Sequence, residues 1–329
     1  MIHEWNKEIW SGLAASEGRL PHALLIHGPA GTGKRALAEH FAQFILCEAE
    51  SAAQRPCGRC EACRWFAAGN HPDVRWLEPE AIAKPSGEDS EDGRTARSAK
   101  PSLEIKVEQV RALADFLNIG SHRGRQRLAL IHPAEDMNLH AANSLLKSLE
   151  EPPPGALFVL VTHRPARLLP TVRSRCVSLP VGLPRRELAE AWLQANKVPD
   201  ASRWLAFAGG SPLKALEYAS GPRGEITSRL LKALQTGALQ PGLISDREEL
   251  DVLAEVLQKL ALDHAFSSAG LEPKYATAGG ARPAPAQTCD WLAYARLMGR
   301  NRALARHPLN PRLFAAEMVA AMPDPRRRG

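Results

Sequence analysis

The sequence has no long hydrophobic run and no recognisable export signal. No apolar stretch among its 329 residues approaches the roughly 18–20 residues needed to cross a bilayer. The first ten residues, MIHEWNKEIW, mix charged and apolar side chains, unlike a secretory signal peptide. These absences argue against a membrane-spanning or exported protein, so we expect a cytoplasmic location and no membrane partner.

The sequence also lacks a strong charge excess. The net charge of +6 and the isoelectric point near 9.1 are mildly basic, which suits work near nucleic acid but equally suits an ordinary basic protein. The composition, 44% hydrophobic and 24% charged, is that of a globular protein. A chain of this length predicts two or three domains.

Continuous apolar runs predict three buried parallel strands, each followed by a helical pattern. The runs are HALLIHG (22–28), RLALIH (127–132) and ALFVLVTH (156–163). This alternation indicates an α/β layer. A polar segment at about 81–102 is predicted to be a flexible insertion, and LEIK (103–106) to be a short strand. After about Pro165 no strand is predicted, and the patterns are helical.

The segment HGPAGTGKRAL (27–37) is almost a phosphate-binding P-loop, G-x-x-x-x-G-K-[ST]. The candidate phosphate-binding residues are Gly28, Gly31, Thr32, Gly33 and Lys34. Arg35 stands where the motif places the hydroxyl that holds Mg²⁺. The sequence therefore raises three possibilities: an ATPase, a former ATPase, or a protein that uses only the fold.

A second magnesium ligand is also missing. A working P-loop ATPase places an aspartate at the end of a neighbouring strand, whereas RLALIH ends in His132 and is followed by Pro133. Glu135 and Asp136 come later, where they are expected to begin the next turn or helix. Two losses at one metal argue against hydrolysis. Either the loop still holds phosphates, or it only shapes the turn from strand to helix.

Four of the six cysteines are clustered, at Cys47, Cys57, Cys60 and Cys63. Four thiolates at this spacing fit a closed tetrahedral metal site of structural type. Sulfur ligands favour zinc or an iron–sulfur cluster, and zinc is preferred because nothing else in the sequence indicates redox chemistry. The alternative is four unrelated thiols. Cys176 and Cys289 are expected to be small buried residues.

The tetrapeptide RSRC (173–176) follows the third predicted strand after a loop. Arg175 is a candidate arginine finger, which would stabilise charge during phosphoryl transfer on another subunit. The alternative is an ordinary surface arginine. Nothing in the sequence gives Arg175 a partner within its own chain.

At this point the motifs resemble a known family. RLPHALLIHGPAGTGK (19–34), HAANSLLKSLEEPPPGALFVLVTHRPARLLPTVRSRC (140–176) and the four cysteines are similar to the delta-prime subunits of bacterial DNA polymerase III clamp loaders, in the AAA+ superfamily. NPRLFAAEMV (310–319) resembles the last helix of that family. The similarity covers most of the chain and is weakest at about 225–305.

The resemblance implies an α/β plus all-α fold in three domains. These are a RecA-like AAA+ parallel-sheet domain (1–165), a small helical lid domain (166–210) and a C-terminal helical collar domain for oligomerisation (211–329). The first would contain a zinc module at about 47–63, with Zn²⁺ on the four cysteines. The region around Thr162 and the helix at 212–214 depart from the pattern of active members and receive no role.

The resemblance also implies a function and partners. Delta-prime subunits are typically catalytically silent members of a hetero-oligomeric ring with gamma/tau-type ATPase and delta subunits, within a DNA-directed DNA polymerase (nucleotidyltransferase) holoenzyme. Ser174, Arg175 and Cys176 would form the SRC motif, with Arg175 acting on a neighbour's ATP. The ring meets the sliding clamp and primer–template DNA. ATP binding by this chain stays open. The alternatives are an active ATPase motor subunit and an unrelated zinc-dependent nucleic-acid-binding protein.

Overall fold

The computed structural model describes residues 2–83, 101–119, 126–277, 287–305, 307 and 309–323. The chain divides into two compact units, Met1–Leu183 and Pro184–Gly329. The predicted division at 1–165, 166–210 and 211–329 stays a prediction. Most of the predicted insertion at 81–102 lies outside the described residues.

The first unit is built on a five-stranded sheet in which every strand pair is parallel. The strands are β1 (Ala23–His27), β2 (Val74–Leu77), β3 (Arg127–Ile131), β4 (Ala156–Thr162) and β5 (Val177–Pro180). Their order across the sheet is β2-β3-β4-β1-β5. The three strands predicted from apolar runs are β1, β3 and β4, and all three are confirmed.

The two edge strands correct the sequence analysis. Neither β2 nor β5 was predicted, and β5 lies beyond Pro165, where strand signals were thought to end. An edge strand pairs on one side only, and most residues of β5 are exposed, so no continuous apolar run marks it. The strand predicted at LEIK was wrong, because Ile105 forms only an isolated bridge with Met137.

Helices cover both faces of this sheet. They are α1 (Lys7–Ala15), α2 (Lys34–Leu46), α3 (Glu61–Ala67), α4 (Val107–Asn118), α5 (Leu139–Glu150) and α6 (Pro170–Arg173). Alternate residues of β4 point to opposite faces. Phe158 packs in one buried apolar cluster with residues of α4 and α5, and Val159 packs in another with residues of α2. Burial on both faces explains why β4 is apolar throughout.

All regular elements within the described residues of the second unit are helices. Its helices are α7 (Arg186–Ala195), α8 (Ala201–Phe207), α9 (Pro212–Ser220), α10 (Pro222–Gln235), α11 (Arg247–Ser268), α12 (Thr288–Leu304) and α13 (Pro311–Ala320). A partly buried ion-pair network links α10, α11 and α12 through Glu255 of α11, which lies 3.4 Å from Arg223 Nη2 of α10 and 3.1 Å from Arg302 Nη2 of α12. The α/β first unit and all-α second unit confirm the predicted fold class.

No helix in the described part of the chain is long and apolar enough to cross a membrane.

Candidate functional site

Four strands of the first unit end at one edge of the sheet, and the residue after each strand lies there. These residues are Gly28 after β1, Glu78 after β2, His132 after β3 and His163 after β4. The carboxyl edge of a parallel sheet is where ligands usually bind in α/β folds. The P-loop residues and the strand end at His132 are therefore brought to the same edge, as the sequence predicted.

Two P-loop glycines are required by close packing within the chain. A Cβ atom on Gly28, whose φ is +143°, would lie 2.0 Å from the carbonyl oxygen of Val181. A Cβ atom on Gly33, whose φ is +81°, would lie 2.4 Å from Cδ2 of His3. Both distances are far below a van der Waals contact, and both φ values favour glycine. These contacts explain the two glycines without any phosphate.

Lys34 is directed into its own loop. It is the first residue of α2, is 2% exposed, and donates hydrogen bonds from Nζ to the carbonyl oxygens of Gly28, at 2.8 Å, and Pro29. Burial lowers the pKa of Lys34 to about 8, although the nearby charge of Glu135 acts in the opposite direction. The ammonium group thus has protein acceptors where a nucleotide-binding loop would offer it phosphate.

The N-terminal segment holds the other side of the loop. Trp5 Nε1 and Asn6 Nδ2 each donate a hydrogen bond of 3.0 Å to the carbonyl oxygen of Thr32. The Thr32 hydroxyl donates in turn to the carbonyl oxygen of Pro29 at 3.1 Å. Side chains and carbonyl groups of the chain itself therefore fix the conformation of the loop.

Arg35 forms an ion pair with an acid that follows β2. Its Nη1 lies 3.0 Å from Glu78 Oε1, and its Nε lies 3.1 Å from Glu39 Oε1, one turn along α2. The guanidinium also lies over the ring of Trp76, 5.0 Å from the ring centre. Glu78 is only 5% exposed, so Arg35 provides the positive charge that a buried carboxylate requires.

The same carboxylate contacts His132. Nδ1 of His132 lies 3.4 Å from Glu78 Oε1, and its ring stacks edge-on against His163 with the centroids 5.3 Å apart. His132 stands at the position of the missing strand-end acid, and Arg35 stands at that of the missing hydroxyl. Both side chains contact the same glutamate, Glu78. Glu78 was not identified from sequence. It follows a strand that carried no clear signal, and it lies 43 residues from Arg35.

Glu135 is also engaged by the protein. It lies in a short 3-10 helix, Ala134–Asp136, as the sequence predicted for this position. Its carboxylate oxygens accept hydrogen bonds of 3.0 and 3.2 Å from the backbone amide of His163. Glu135 therefore ties the end of β3 to the end of β4.

The four clustered cysteines meet as the spacing predicted. The sulfur atoms of Cys47, Cys57, Cys60 and Cys63 all lie within 4.8 Å of one another. A tetrahedral site with metal–sulfur bonds of ~2.3 Å separates its sulfurs by about 3.8 Å, and Cys47 Sγ lies 4.0 Å from Cys60 Sγ. The cluster can hold a metal ion, and the residues fit one with thiolate ligands.

Local backbone geometry supports this cluster. The amide of Cys57 donates to Cys47 Sγ at 3.3 Å, that of Cys60 to Cys57 Sγ at 3.3 Å, and that of Cys63 to Cys60 Sγ at 3.4 Å. Amides that donate to a sulfur favour its thiolate form, which is the form that binds metals. Arg55, two residues before Cys57, contacts Glu17 and donates to the carbonyl of Ala49 at 2.6 Å.

Arg175 follows α6 and is held within its own chain. Its side chain is 33% exposed. Nη1 donates to the carbonyl oxygen of Thr171 at 2.9 Å, and Nη2 contacts the carboxylate of Glu150, the last residue of α5. The sequence analysis did not identify this partner, although Glu150 lies inside the segment 140–176 that carries the family resemblance.

The other two residues of the SRC motif have structural contacts. Ser174 donates from its hydroxyl to the carbonyl of Thr171 at 3.0 Å. Cys176 is partly buried against the apolar cluster beneath β4, and burial raises its pKa to about 11. A thiol with that pKa stays protonated and unreactive at neutral pH. Cys289, expected to be buried, is exposed on the first turn of α12.

Comparisons with known proteins agree with this architecture. Residues 6–182 match the sequence model of the family described as DNA polymerase III, delta subunit. The chain is 43% identical over 219 residues to DNA polymerase III subunit delta' of Pseudomonas aeruginosa, an alignment that covers 65% of this chain and 60% of that relative.

Two further relatives extend the comparison. The chain is 34% identical over 256 residues to DNA polymerase III subunit delta' of Yersinia pestis, covering 75% of this chain and 69% of the relative. It is also 34% identical over 162 residues to DNA polymerase III subunit tau of Escherichia coli, covering 49% of this chain and 22% of that relative. The match thus spans about 60 to 69% of the two delta' relatives' own lengths. On the family match over more than half of its residues and these identities, the chain belongs to the DNA polymerase III delta' subunit family.

Proposed function

We propose that this chain is the catalytically silent delta-prime subunit of a DNA polymerase III clamp loader. It acts as a stator that supports loading of the sliding clamp onto primed DNA. Its own nucleotide loop does not hydrolyse ATP. Its contribution to hydrolysis is Arg175, which it supplies as an arginine finger to the ATP site of a neighbouring subunit.

The contact of Arg35 and His132 with Glu78 carries this proposal. A magnesium ion placed about 4 Å from an unpaired guanidinium is repelled by roughly 8 kcal/mol at an effective dielectric constant near 20. Glu78 therefore cannot serve Arg35 and a metal ion together. With Arg35 and His132 at the two positions that anchor Mg²⁺ in P-loop ATPases, hydrolysis in this pocket has no metal to rely on.

The P-loop is proposed to be a structural turn. Lys34 donates to carbonyl oxygens of its own loop, and Gly28 and Gly33 are required by packing. A phosphate group could pair with the Lys34 ammonium only after the hydrogen bonds from Lys34 to these carbonyl oxygens were broken. We therefore expect weak nucleotide binding at most through Gly28, Gly31, Thr32, Gly33 and Lys34.

The cysteine cluster is proposed to hold one Zn²⁺ through Cys47, Cys57, Cys60 and Cys63. Four sulfur ligands leave no open position, so the metal would cross-link the chain and take no part in a reaction. The ion would join the end of α2 to the start of α3.

The proposed partners are gamma/tau-type ATPase subunits and a delta subunit, with the sliding clamp and primer–template DNA reached through the assembled ring. The similarity to a subunit named tau supports assembly among related chains. The second unit, with its long helices α11 and α12, is the proposed site of oligomerisation.

The experiment that tests this function is Arg175→Ala in a loader reconstituted with gamma/tau-type and delta subunits. Arginine fingers supplied in trans contribute ~10³–10⁵ in kcat, so ATP turnover at the neighbouring site should be lost, while the melting temperature of the isolated variant stays unchanged.

Arg173→Ala is the matched control, because Arg173 is an exposed arginine of α6 two residues away. It should leave turnover at the wild-type rate. Equal turnover in the wild-type and Arg175→Ala loaders would refute the trans role.

A further inference from the structure

The guanidinium of Arg175 has three partners within the first unit. Thr171 accepts from Nη1 at 2.9 Å, the Ser174 hydroxyl oxygen lies 3.5 Å from the same nitrogen, and the Glu150 carboxylate contacts Nη2. An arginine has five N–H donors in a rigid fork, so these contacts leave donors at Nε and Nη2 for a further acceptor. The side chain is therefore oriented while part of its hydrogen-bonding capacity stays unused.

Glu150 is an unusual residue for its position. It ends α5, and a carboxylate at the C-terminus of a helix is unfavourable because its charge has the same sign as that end of the helix dipole. Lys147, in the same last turn, has the charge that this end favours. Glu150 is also 49% exposed, so it contributes little to the apolar core. Within the described residues, its carboxylate contacts Arg175.

We propose that Glu150 is a positioning residue for Arg175. Its carboxylate holds the guanidinium in one orientation. The remaining N–H donors can then contact the transferring phosphate of the neighbouring subunit without a change of the Arg175 rotamer. This inference rests on the proposed function.

Energetics favour positioning over a stabilising role. A free arginine side chain samples many rotamers, and part of that freedom is already lost when Glu150 and Thr171 hold it. An exposed ion pair contributes little to the free energy of folding. Removal of Glu150 should therefore affect the reaction more than the stability of the chain.

The test is Glu150→Ala in the reconstituted loader, with Glu151→Ala as the matched control. Glu151 is the next residue, also a glutamate and also exposed. We expect Glu150→Ala to lower kcat for ATP about three- to tenfold with KM for ATP unchanged. Glu151→Ala should match wild type. Glu150→Gln, which keeps an acceptor oxygen without the charge, should lie between wild type and Glu150→Ala, and it replaces the alanine variant if that one does not fold.

A double variant shows whether Glu150 acts through Arg175. In the Arg175→Ala background, Glu150→Ala should have no further effect, because the group that it positions is gone. A side-chain readout is independent of turnover: ¹⁵N relaxation of the Arg175 Nε–H group should show greater mobility in Glu150→Ala.

Each other outcome is decisive. A wild-type kcat in Glu150→Ala overturns the positioning role. A raised kcat also overturns it, because it would show that the carboxylate restrains Arg175. A further loss in the Arg175→Ala background overturns it as well. Wild-type turnover in Arg175→Ala alone refutes the proposed function itself and removes the role assigned to Glu150. The two failures are therefore distinguished by separate variants.

Discussion

Arg35 and Glu78 form an ion pair beside the P-loop, at the place where we propose that no magnesium site remains. The arginine stands at the position of the magnesium-binding hydroxyl, and its partner is 5% exposed at the end of a neighbouring strand. His132 contacts the same carboxylate. Restoring the motif residue at position 35 would leave His132 in place, and His132 would still contact Glu78.

Arg35→Ser completes the P-loop motif but should not create an ATPase. His132 still occupies the strand end, so no second magnesium ligand is present. The buried Glu78 carboxylate loses its main partner, and an unsatisfied buried group costs about 1–3 kcal/mol of unfolding free energy. Urea unfolding of the variant, together with ATP turnover of the isolated chain, measures both effects.

Glu39→Gln is the control for Arg35→Ser, because Glu39 is the exposed partner of the same guanidinium. It should change the free energy of unfolding by less than ~0.5 kcal/mol. Magnesium-dependent hydrolysis by Arg35→Ser alone would contradict the argument from two missing ligands.

At the residue scale, the sequence was informative where function depends on local spacing. The P-loop pattern and the four cysteines were predicted from spacing, and their residues do meet in the structure. Glu78 and Glu150 were missed because their partners are distant in the chain. A lone glutamate carries no sign of which cation it will contact across 43 residues.

At the scale of elements, apolar runs revealed the inner strands and failed at the edges. β1, β3 and β4 are buried on both faces, so nearly every residue is apolar. β2 and β5 each have one free side and contain exposed residues. Their short, mixed sequences resemble loops, which is why the sequence predicted only three of the five strands.

The cysteine segment between α2 and α3 should contain about one metal ion per chain. Cys60→Ser removes one of four sulfur ligands and should lower the bound metal well below one equivalent, with a fall in melting temperature. Elemental analysis of the purified chain gives both the amount and the identity of the metal, and zinc is expected.

Cys289→Ser is the control for the metal measurement, because Cys289 is exposed and lies outside the cluster. It should retain the full amount of metal. A purified chain that is fully folded with no metal would contradict the assignment, and iron in place of zinc would favour the iron–sulfur alternative.

At the scale of the whole molecule, the two units differ in secondary-structure content. The first is a parallel sheet covered by helices, and all regular elements within the described residues of the second are helices. The sequence predicted this change of class from the loss of apolar runs after the third strand. It placed the change near Pro165, ahead of β5, because that strand has no apolar run of its own.

The intact chain should be inactive alone and required in the assembly. Purified by itself, it should show no ATP turnover above background, since its pocket has neither magnesium ligand. A loader reconstituted with gamma/tau-type and delta subunits should place clamps on primed DNA when this chain is present and lose that activity when it is omitted.

The comparison that decides between the two candidate roles is the isolated chain with and without Mg²⁺. Metal-dependent turnover by the chain alone would support the active motor subunit. Full clamp loading by a complex that lacks the chain would refute the stator role.

The close contacts of Gly28 with Val181 and of Gly33 with His3 bear on how such sequences are classified. Positive φ values at both glycines, with the backbone contact at Gly28, account for these two residues of the motif without a bound nucleotide. If the proposed function is correct, a motif scan that counted every G-x-x-x-x-G-K sequence as a hydrolase would count this chain in error. The residue after the lysine, here Arg35, is the one that separates this chain from the complete P-loop motif.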